Sequence, residues 1–368
     1  MLVVFVDYPP DDFTACFGAS SYAEIMLFDK TLFTCMRSAV YPLIDTEYVI
    51  LSSGLMYDSS GAVVIKSVNE LIDFIEKSEQ KTVVFFYLNT FISIDFNAIN
   101  PSKIQSDNYI FSDENDCGFG CSLDRNIVIN LLKNHQKQDL NFLLEADFLD
   151  KIQCIKYGQK LNNIKDYKRL CECILTMDLS ENLPEIAQGI YSSERMPSGD
   201  YTIIPPVYFG SDVQIEKGAV IGPCSVIYDG TLVSRNSIVD NSILLPDCFI
   251  SKDCFLENCI CCSNVSVRRA SSIYSGAVIG AECIIAESSS VEKESCWVEL
   301  SVDDNALNKA FSGSDVLCNI DTERGIIEYS DKYFNMICKK SGGHNMKILL
   351  KAVSFEVAEE IISDIRGV

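Results

Sequence analysis

The sequence predicts three consecutive units: an α/β domain with a mostly parallel sheet over residues 1–195, a parallel β-helix of six-residue repeats over 196–300, and a small α+β domain over 301–368. Three observations lead there. Branched or aromatic residues recur every six positions in the middle of the chain, apolar strand-like runs alternate with helical patterns before it, and strand-like runs followed by one amphipathic helix come after it. With 368 residues the chain also exceeds what a single ordinary core uses.

The repeat decides the architecture. Phe209, Ile215, Ile221, Ile227, Val233, Val239 and Leu245 stand six apart, and a second run follows at Val267, Ile273, Ile279, Ile285, Val291 and Trp297. Four positions after each anchor the side chain is small or modest, as at Ala219, Ser225, Thr231, Ser237, Ser271 and Ala277, so both positions face a shared, narrow interior. Glycine recurs at the turns, among them Gly218 and Gly222, where the chain needs positive φ or close backbone approach. The two runs are out of phase by four residues, which predicts an irregular coil with a changed turn or small loop between Ser251 and Ser266. Pro205 and Pro206 precede the first coil and are expected to cap it.

Before the repeat, strands are expected at Leu2–Val6, Tyr48–Leu51, Val63–Ile65, Thr82–Tyr87 and Tyr109–Phe111. Helices are expected at Val68–Lys77, opened by the capping box Ser67 to Glu70, and at Asp166–Leu175, with Tyr167, Leu170, Cys171 and Ile174 on one face. A net charge of −22 argues against nucleic acid and anionic membrane surfaces as partners, since each approach would be repulsive. The apolar start Met1–Val6 is too short for a signal peptide and no run nears the ~20 apolar residues a bilayer needs, so a soluble, cytoplasmic protein is expected. Seventeen cysteines without regular spacing read as reduced thiols. Cys259 and Cys262 alone have CxxC spacing, with no second pair or histidine beside them, and are expected to be structural, with no metal site.

Met26–Ser38, Val83–Thr90, Tyr157–Leu175 and Ser198–Ile227 resemble, in the right order, four segments of sugar-nucleotide pyrophosphorylases of the mannose-1-phosphate guanylyltransferase and glucose-1-phosphate adenylyltransferase kind. Met26–Ser38 (MLFDKTLFTCMRS) is similar to that family's strand and helix after its first loop, and Val83–Thr90 (VVFFYLNT) to its "GD" strand. Tyr157–Leu175 (YGQKLNNIKDYKRLCECIL) resembles the segment closing the catalytic domain, and Ser198–Ile227 the junction into the β-helix. The resemblance implies a nucleotidyltransferase-like α/β fold and a left-handed β-helix.

The departures bear on mechanism. The family holds magnesium with two aspartates, and at the matching positions this chain has Asn89 and Lys160; Lys30 lies in the first similar segment. An amide binds magnesium poorly and a lysine repels it. The glycine-rich phosphate loop is also missing, because Asp7–Ala19 (DYPPDDFTACFGA) offers prolines and aspartates instead. No catalytic residue is assigned, and magnesium is expected only if the transferase is active. Asp95, Asp113, Asp116 and Asp147 are the remaining acidic candidates for a different metal site. Gly118 and Gly120 lack a Walker lysine and read as a plain loop.

In the tail, strands are expected at Gly325–Glu328, Phe334–Cys338 and Met346–Leu350, then a helix capped by Ser354. Cys338–Ala352 (CKKSGGHNMKILLKA) with that helix resembles the C-terminal domain of phosphohexomutases, which implies a phosphate-gripping loop at Lys339, Lys340, Ser341, Gly342, Gly343 and Lys347. His344 and Asn345 depart from the mutase pattern, and the mutase's other domains are absent, so no mutase activity follows.

Three function classes compete. The favoured one is a catalytically impaired nucleotidyltransferase-like protein, acting as a regulatory or partner subunit or binding a sugar phosphate or nucleotide. An active sugar-1-phosphate nucleotidyltransferase with a divergent site is the alternative. A hexapeptide acyltransferase is third, because the two histidines, His135 and His344, lie outside the repeats that would need a general base. Flat β-helix faces suit a homo-oligomer, or a hetero-oligomer with an active paralogue.

Overall fold

The computed structural model describes residues 1–8, 19, 21–41, 47–52, 63–95, 108–115, 117–135, 140–145, 149–177, 183–192, 194, 196, 199–303, 307, 310–311, 317–321, 326–342 and 345–366. Two compact units divide the chain, Met1–Leu170 and Cys171–Val368. No helix among the described residues is long and apolar enough to cross a membrane.

The first unit is built on strands β1 (Leu2–Val6), β2 (Glu47–Leu51), β3 (Val63–Ile65), β4 (Thr82–Tyr87), β5 (Thr90–Ile94), β6 (Tyr109–Ser112), β7 (Gly118–Asp124), β8 (Asp150–Gln153) and β9 (Ile155–Lys160). Seven of these form one sheet in the order β8-β6-β7-β4-β1-β2-β3. β1 pairs parallel with both β2 and β4, while β7 runs antiparallel between β6 and β4. Every residue of β1 and β4 is buried, as strands covered on both faces require. Gly118 and Gly120 therefore belong to a strand rather than the expected loop. Gly120 lies where a Cβ would stand 2.7 Å from the Phe85 carbonyl oxygen, which explains glycine inside β7.

Helix α1 (Leu32–Val40) follows a short hairpin of Met26–Leu27 with Lys30–Thr31, and Thr31 Oγ1 caps it by accepting from the Thr34 amide at 3.2 Å. α2 (Val68–Lys77) starts at Ser67, whose Oγ accepts from the Glu70 amide at 3.2 Å; Glu70 in turn takes the Lys66 amide at 3.0 Å. α3 (Arg125–His135) and α4 (Ile164–Thr176) are the other α-helices before the repeat among the described residues. Asn163 Oδ1 caps α4 by accepting from the Lys165 and Asp166 amides, and Asp166 reaches back to the Asn162 amide at 3.0 Å.

In the second unit two- and three-residue strands stack in register as three parallel sheets, the arrangement of a β-helix. Its inward column is Phe209, Ile215, Ile221, Ile227, Val233, Val239, Leu244, Ile250, Leu256, Cys261, Val267, Ile273, Ile279, Ile285 and Val291, and it forms one core. Small inward residues are buried with their polar atoms satisfied by the next rung: Ser225 Oγ donates to the Val239 carbonyl at 3.1 Å and Ser237 Oγ to the Ser251 carbonyl at 2.7 Å. A hydroxyl there is thus tolerated where a larger polar group would not fit.

The phase change comes from two changed turns, one inside the expected stretch Ser251–Ser266 and one before it. Val239 to Leu244 and Leu256 to Cys261 are five-residue steps, so Leu244 and not Leu245 pairs with Ile227 and enters the core. Two single-residue shortenings, at the turns near Asn241 and Asn258, give the same offset as a four-residue insertion. No loop interrupts Ser251–Ser266, where Phe249–Ile250 pairs with Ser266–Val267 in regular register. Asn241 and Asn258 both adopt positive φ, which asparagine tolerates. Asn241 Nδ2 donates to Asn258 Oδ1 and Asn258 Nδ2 to Ser275 Oγ, a ladder running up the shortened corner.

Pro205 and Pro206 do not cap the coil. Thr202–Ile203 already pairs with Val220–Ile221, and Ile190–Ser192 with Val207–Phe209, so the prolines turn a corner inside the first rung. At Gly222, with φ near 99°, a Cβ would run into the Ile204 carbonyl. Cys259 and Cys262 are both buried, Cys259 with its Sγ 3.5 Å from Ser242 Oγ. The described cysteines are free thiols.

The far end of the coil runs into the tail. Strand β10 (Cys296–Asp303) leaves the β-helix and pairs antiparallel with β14 (Asn345–Ala352), which continues through β13 (Phe334–Gly342) and β12 (Ile326–Ser330) to β11 (Leu317–Asp321). Trp297 and Leu349 pack on the β-helix core and cover its last rung. Helix α5 (Phe355–Arg366) has Ala358, Ile361, Ile362 and Ile365 buried, and its Val357 amide donates to Ser354 Oγ at 3.3 Å.

Candidate functional site

A cavity of about 420 Å³ opens at the carboxyl end of β4, the end at which open α/β sheets bind ligands. Its size fits a small organic ligand. Asn89 and Lys160 both line it. They meet because β5 and β9 pair antiparallel, with Lys160 opposite Thr90, and the Asn89 carbonyl accepts from the Leu161 amide at 2.8 Å. Tyr87, at the end of β4, donates its hydroxyl to the Leu140 carbonyl at 2.8 Å, which anchors the segment leading into Asn141. Thr90 Oγ1 donates to the Tyr87 carbonyl at 2.5 Å and tightens the β4–β5 turn that carries Asn89.

Besides the hydroxyls of Tyr87 and Thr90, the polar lining is two lysines, Lys151 and Lys160, three amides, Asn89, Asn141 and Asn162, and one carboxylate, Glu145. The cavity thus carries a cationic surplus inside a chain of net charge −22. Such a lining receives an anion and hydrogen-bonds hydroxyls. Among the described residues no cluster of three His, Cys, Asp or Glu side chains is placed to hold a metal.

Comparison with known proteins bears on the coil rather than on this cavity. Residues 203–311 match the family model described as the GMPPB C-terminal domain. No curated protein matches the chain. The matched domain is of the left-handed β-helix type, and the likeness is, at a coarse level, to sugar-nucleotide pyrophosphorylases. It covers the coil and the start of the tail and leaves the cavity outside it.

Asp7 stands at the end of β1, before the segment where the glycine-rich loop was missed in the sequence; residues 9–18 lie outside the described residues. Its Oδ2 accepts from Ser52 Oγ at 2.6 Å and its Oδ1 from the Ala23 amide at 3.1 Å. Burial raises the Asp7 pKa above the usual carboxylate value, and the hydrogen bonds from Ser52 and the Ala23 amide offset part of that rise. Asp7 is a buried brace joining β1, β2 and the turn at Tyr22–Glu24.

Lys30 lies in the hairpin before α1 and is not among the residues lining the cavity. Of the acidic metal candidates, Asp113 Oδ1 accepts from the Asn115 and Cys117 amides in a turn, while Asp116 and Asp147 lie outside the described residues. Lys151, Asn141 and Glu145 were not singled out in the sequence, where nothing separates them from a solvated surface.

In the tail, Lys339 and Lys347 stand directly opposite each other across β13 and β14, both exposed. Lys340, Ser341 and Gly342 extend β13, with a register shift between Lys340 and Gly342; Gly343 and His344 lie outside the described residues.

Proposed function

We propose that this sugar-nucleotidyltransferase-like chain does not turn over sugar nucleotides, but binds a phosphorylated sugar or related anion in the cavity at the end of β4 and serves as a regulatory or partner subunit. The observation that carries the reading is the meeting of Asn89 and Lys160 on one cavity wall. By resemblance these positions would carry the two magnesium-binding aspartates. With an amide and an ammonium there, the divalent ion that neutralises a triphosphate has no seat. Lys160 and Lys151 supply instead a fixed positive charge for a phosphate group, and Asn89, Asn141 and Asn162 supply donors and acceptors for sugar hydroxyls. The buried Asp7 brace adds a reason against a triphosphate beside β1, since its carboxylate would repel one.

A second anion position is proposed at Lys339 and Lys347. Like charges directly opposite in a ladder destabilise it, and a bound phosphate would remove that cost.

The test is a pyrophosphorylase assay across nucleoside triphosphates and hexose 1-phosphates, run beside calorimetric titration with the same sugar phosphates. Magnesium-independent binding without pyrophosphate release is expected. Magnesium-dependent pyrophosphate release overturns the reading.

A further inference from the structure

The β-helix carries a charge pattern that its repeat does not require. Between residues 203 and 297 the cationic residues are Lys217, Arg235, Lys252, Arg268, Arg269 and Lys293, and all but Lys293 fall on one corner of the coil. This corner follows the sheet made by Gln214–Ile215, Leu232–Val233, Phe249–Ile250, Ser266–Val267 and Ile284–Ile285. The corner preceding the same sheet carries Asp212, Asp229, Asp247 and Glu282 and no cation. All nine of these charged side chains are exposed.

Internal ion pairs neutralise the basic corner only in part. Lys217 pairs with Asp200 at 3.0 Å, Arg235 with Glu216 at 3.7 Å and Arg269 with Asp253 at 3.6 Å, all at exposed sites where such pairs are weak. Between the two corners the outward column is Gln214, Leu232, Phe249, Ser266 and Ile284, with Phe249 37% and Ile284 57% exposed. Three apolar residues of this column, Leu232, Phe249 and Ile284, thus lie between a basic and an acidic edge.

We infer that this face is the contact between two copies of the chain, related by a twofold axis parallel to the β-helix axis. A twofold of that direction brings each copy's basic corner onto its partner's acidic corner on the same rung. Lys217 then faces Asp212, Arg235 faces Asp229 and Lys252 faces Asp247, while Phe249 and Ile284 meet their own counterparts. The other in-plane twofold, perpendicular to the coil, opposes like to like and is repulsive. Two rungs depart from the pattern: Arg268 and Arg269 meet the uncharged Ser263 and Asn264, and after Ile285 the basic corner carries Glu287, which this dimer sets against Glu282; Glu216 and Asp253 also stand on the basic corner and reduce its positive charge.

Five rungs at about 4.8 Å and a side of about six residues give a face of roughly 500 Å² per copy, near the lower limit for a specific interface. A reversible, concentration-dependent dimer is therefore expected. None of these residues lines the cavity of the first unit, so the inference stands or falls separately from what that cavity binds.

Sedimentation velocity of the full chain, from about 1 to about 100 µM at low and high salt, reads the equilibrium. A dimer that weakens with salt is expected. Asp229→Lys and Arg235→Glu should each weaken it about tenfold, and the chain carrying both should recover, since the swap restores opposite charges across the twofold. Glu287→Lys should tighten it several-fold by removing the one repulsive rung, an effect that misfolding does not produce. A chain that stays monomeric throughout, or an oligomer indifferent to salt and to Glu287→Lys, overturns the inference.

Discussion

Replacing Ile273 by alanine tests the inward column directly, with Ile238→Ala as its partner in the same parallel sheet. Ile273 has no exposed surface and stacks between Leu256 and Val291, whereas Ile238 points outward and is 37% exposed. The change removes three carbons, about 2.4 kcal/mol of transfer free energy at about 0.8 kcal/mol each when fully buried. At Ile273 it also leaves a hole of roughly 80 Å³, because the neighbouring rungs are held at fixed spacing by backbone hydrogen bonds and cannot close in; at ~24 cal/mol per Å³ that adds about 2 kcal/mol. The expected cost is about 4 kcal/mol at Ile273 and about 1 to 1.5 kcal/mol at Ile238, where water fills the gap. For a unit of this size, calorimetry should show a Tm about 8 to 16 °C lower for Ile273→Ala and only about 2 to 6 °C lower for Ile238→Ala. Equal losses, or the reverse order, would refute the assignment of which residues fill the coil.

Other expectations follow from the same geometry. Lys160→Ala should weaken sugar-phosphate binding about tenfold or more in a calorimetric titration, as loss of a charge-assisted contact does. The double change Asn89→Asp with Lys160→Asp sets two carboxylates on one wall, and manganese binding should appear in titrations where the parent chain shows none. Asp7→Asn should stabilise the fold increasingly from acid toward neutral pH. The folded state holds the Asp7 proton more tightly than the unfolded chain does, so the stability this contributes is present at low pH and is lost as pH rises through the raised folded pKa; the amide has no such loss. Urea midpoints at several pH values check it. Burial pushes the Cys248 thiol up to about 12, so it should resist alkylation in the native protein at neutral pH while exposed Cys117 and Cys318 react, as peptide mapping after labelling will show.

Much of the second unit was legible in the residues because a β-helix is a local code. Each rung must place a branched side chain over the one before, so the six-residue period of Ile215, Ile221 and Ile227 reports directly on the interior. The element order before it was also readable, with β1, β3, β4 and α2 falling where hydrophobic runs and the Ser67 cap placed them. Some features left no such mark. The two five-residue steps were hidden because an offset of four in a period of six is equally an insertion of four or two deletions of one. β7 escaped because its glycines imitate a loop, and their reason, the approach of the Phe85 carbonyl to Gly120, exists only once β4 is beside it.

What the sequence determined by itself was the coil and the alternating elements in front of it, while Asn89 and Lys160 were singled out only by resemblance. The tertiary structure alone decided that those two side chains share a wall with Lys151 and two further amides, Asn141 and Asn162, because that requires the pairing of β5 with β9 across a long stretch of chain. It likewise decided that scattered lysines and arginines gather on one corner while aspartates gather on another. Charge in a sequence has no direction until the backbone winds it into columns.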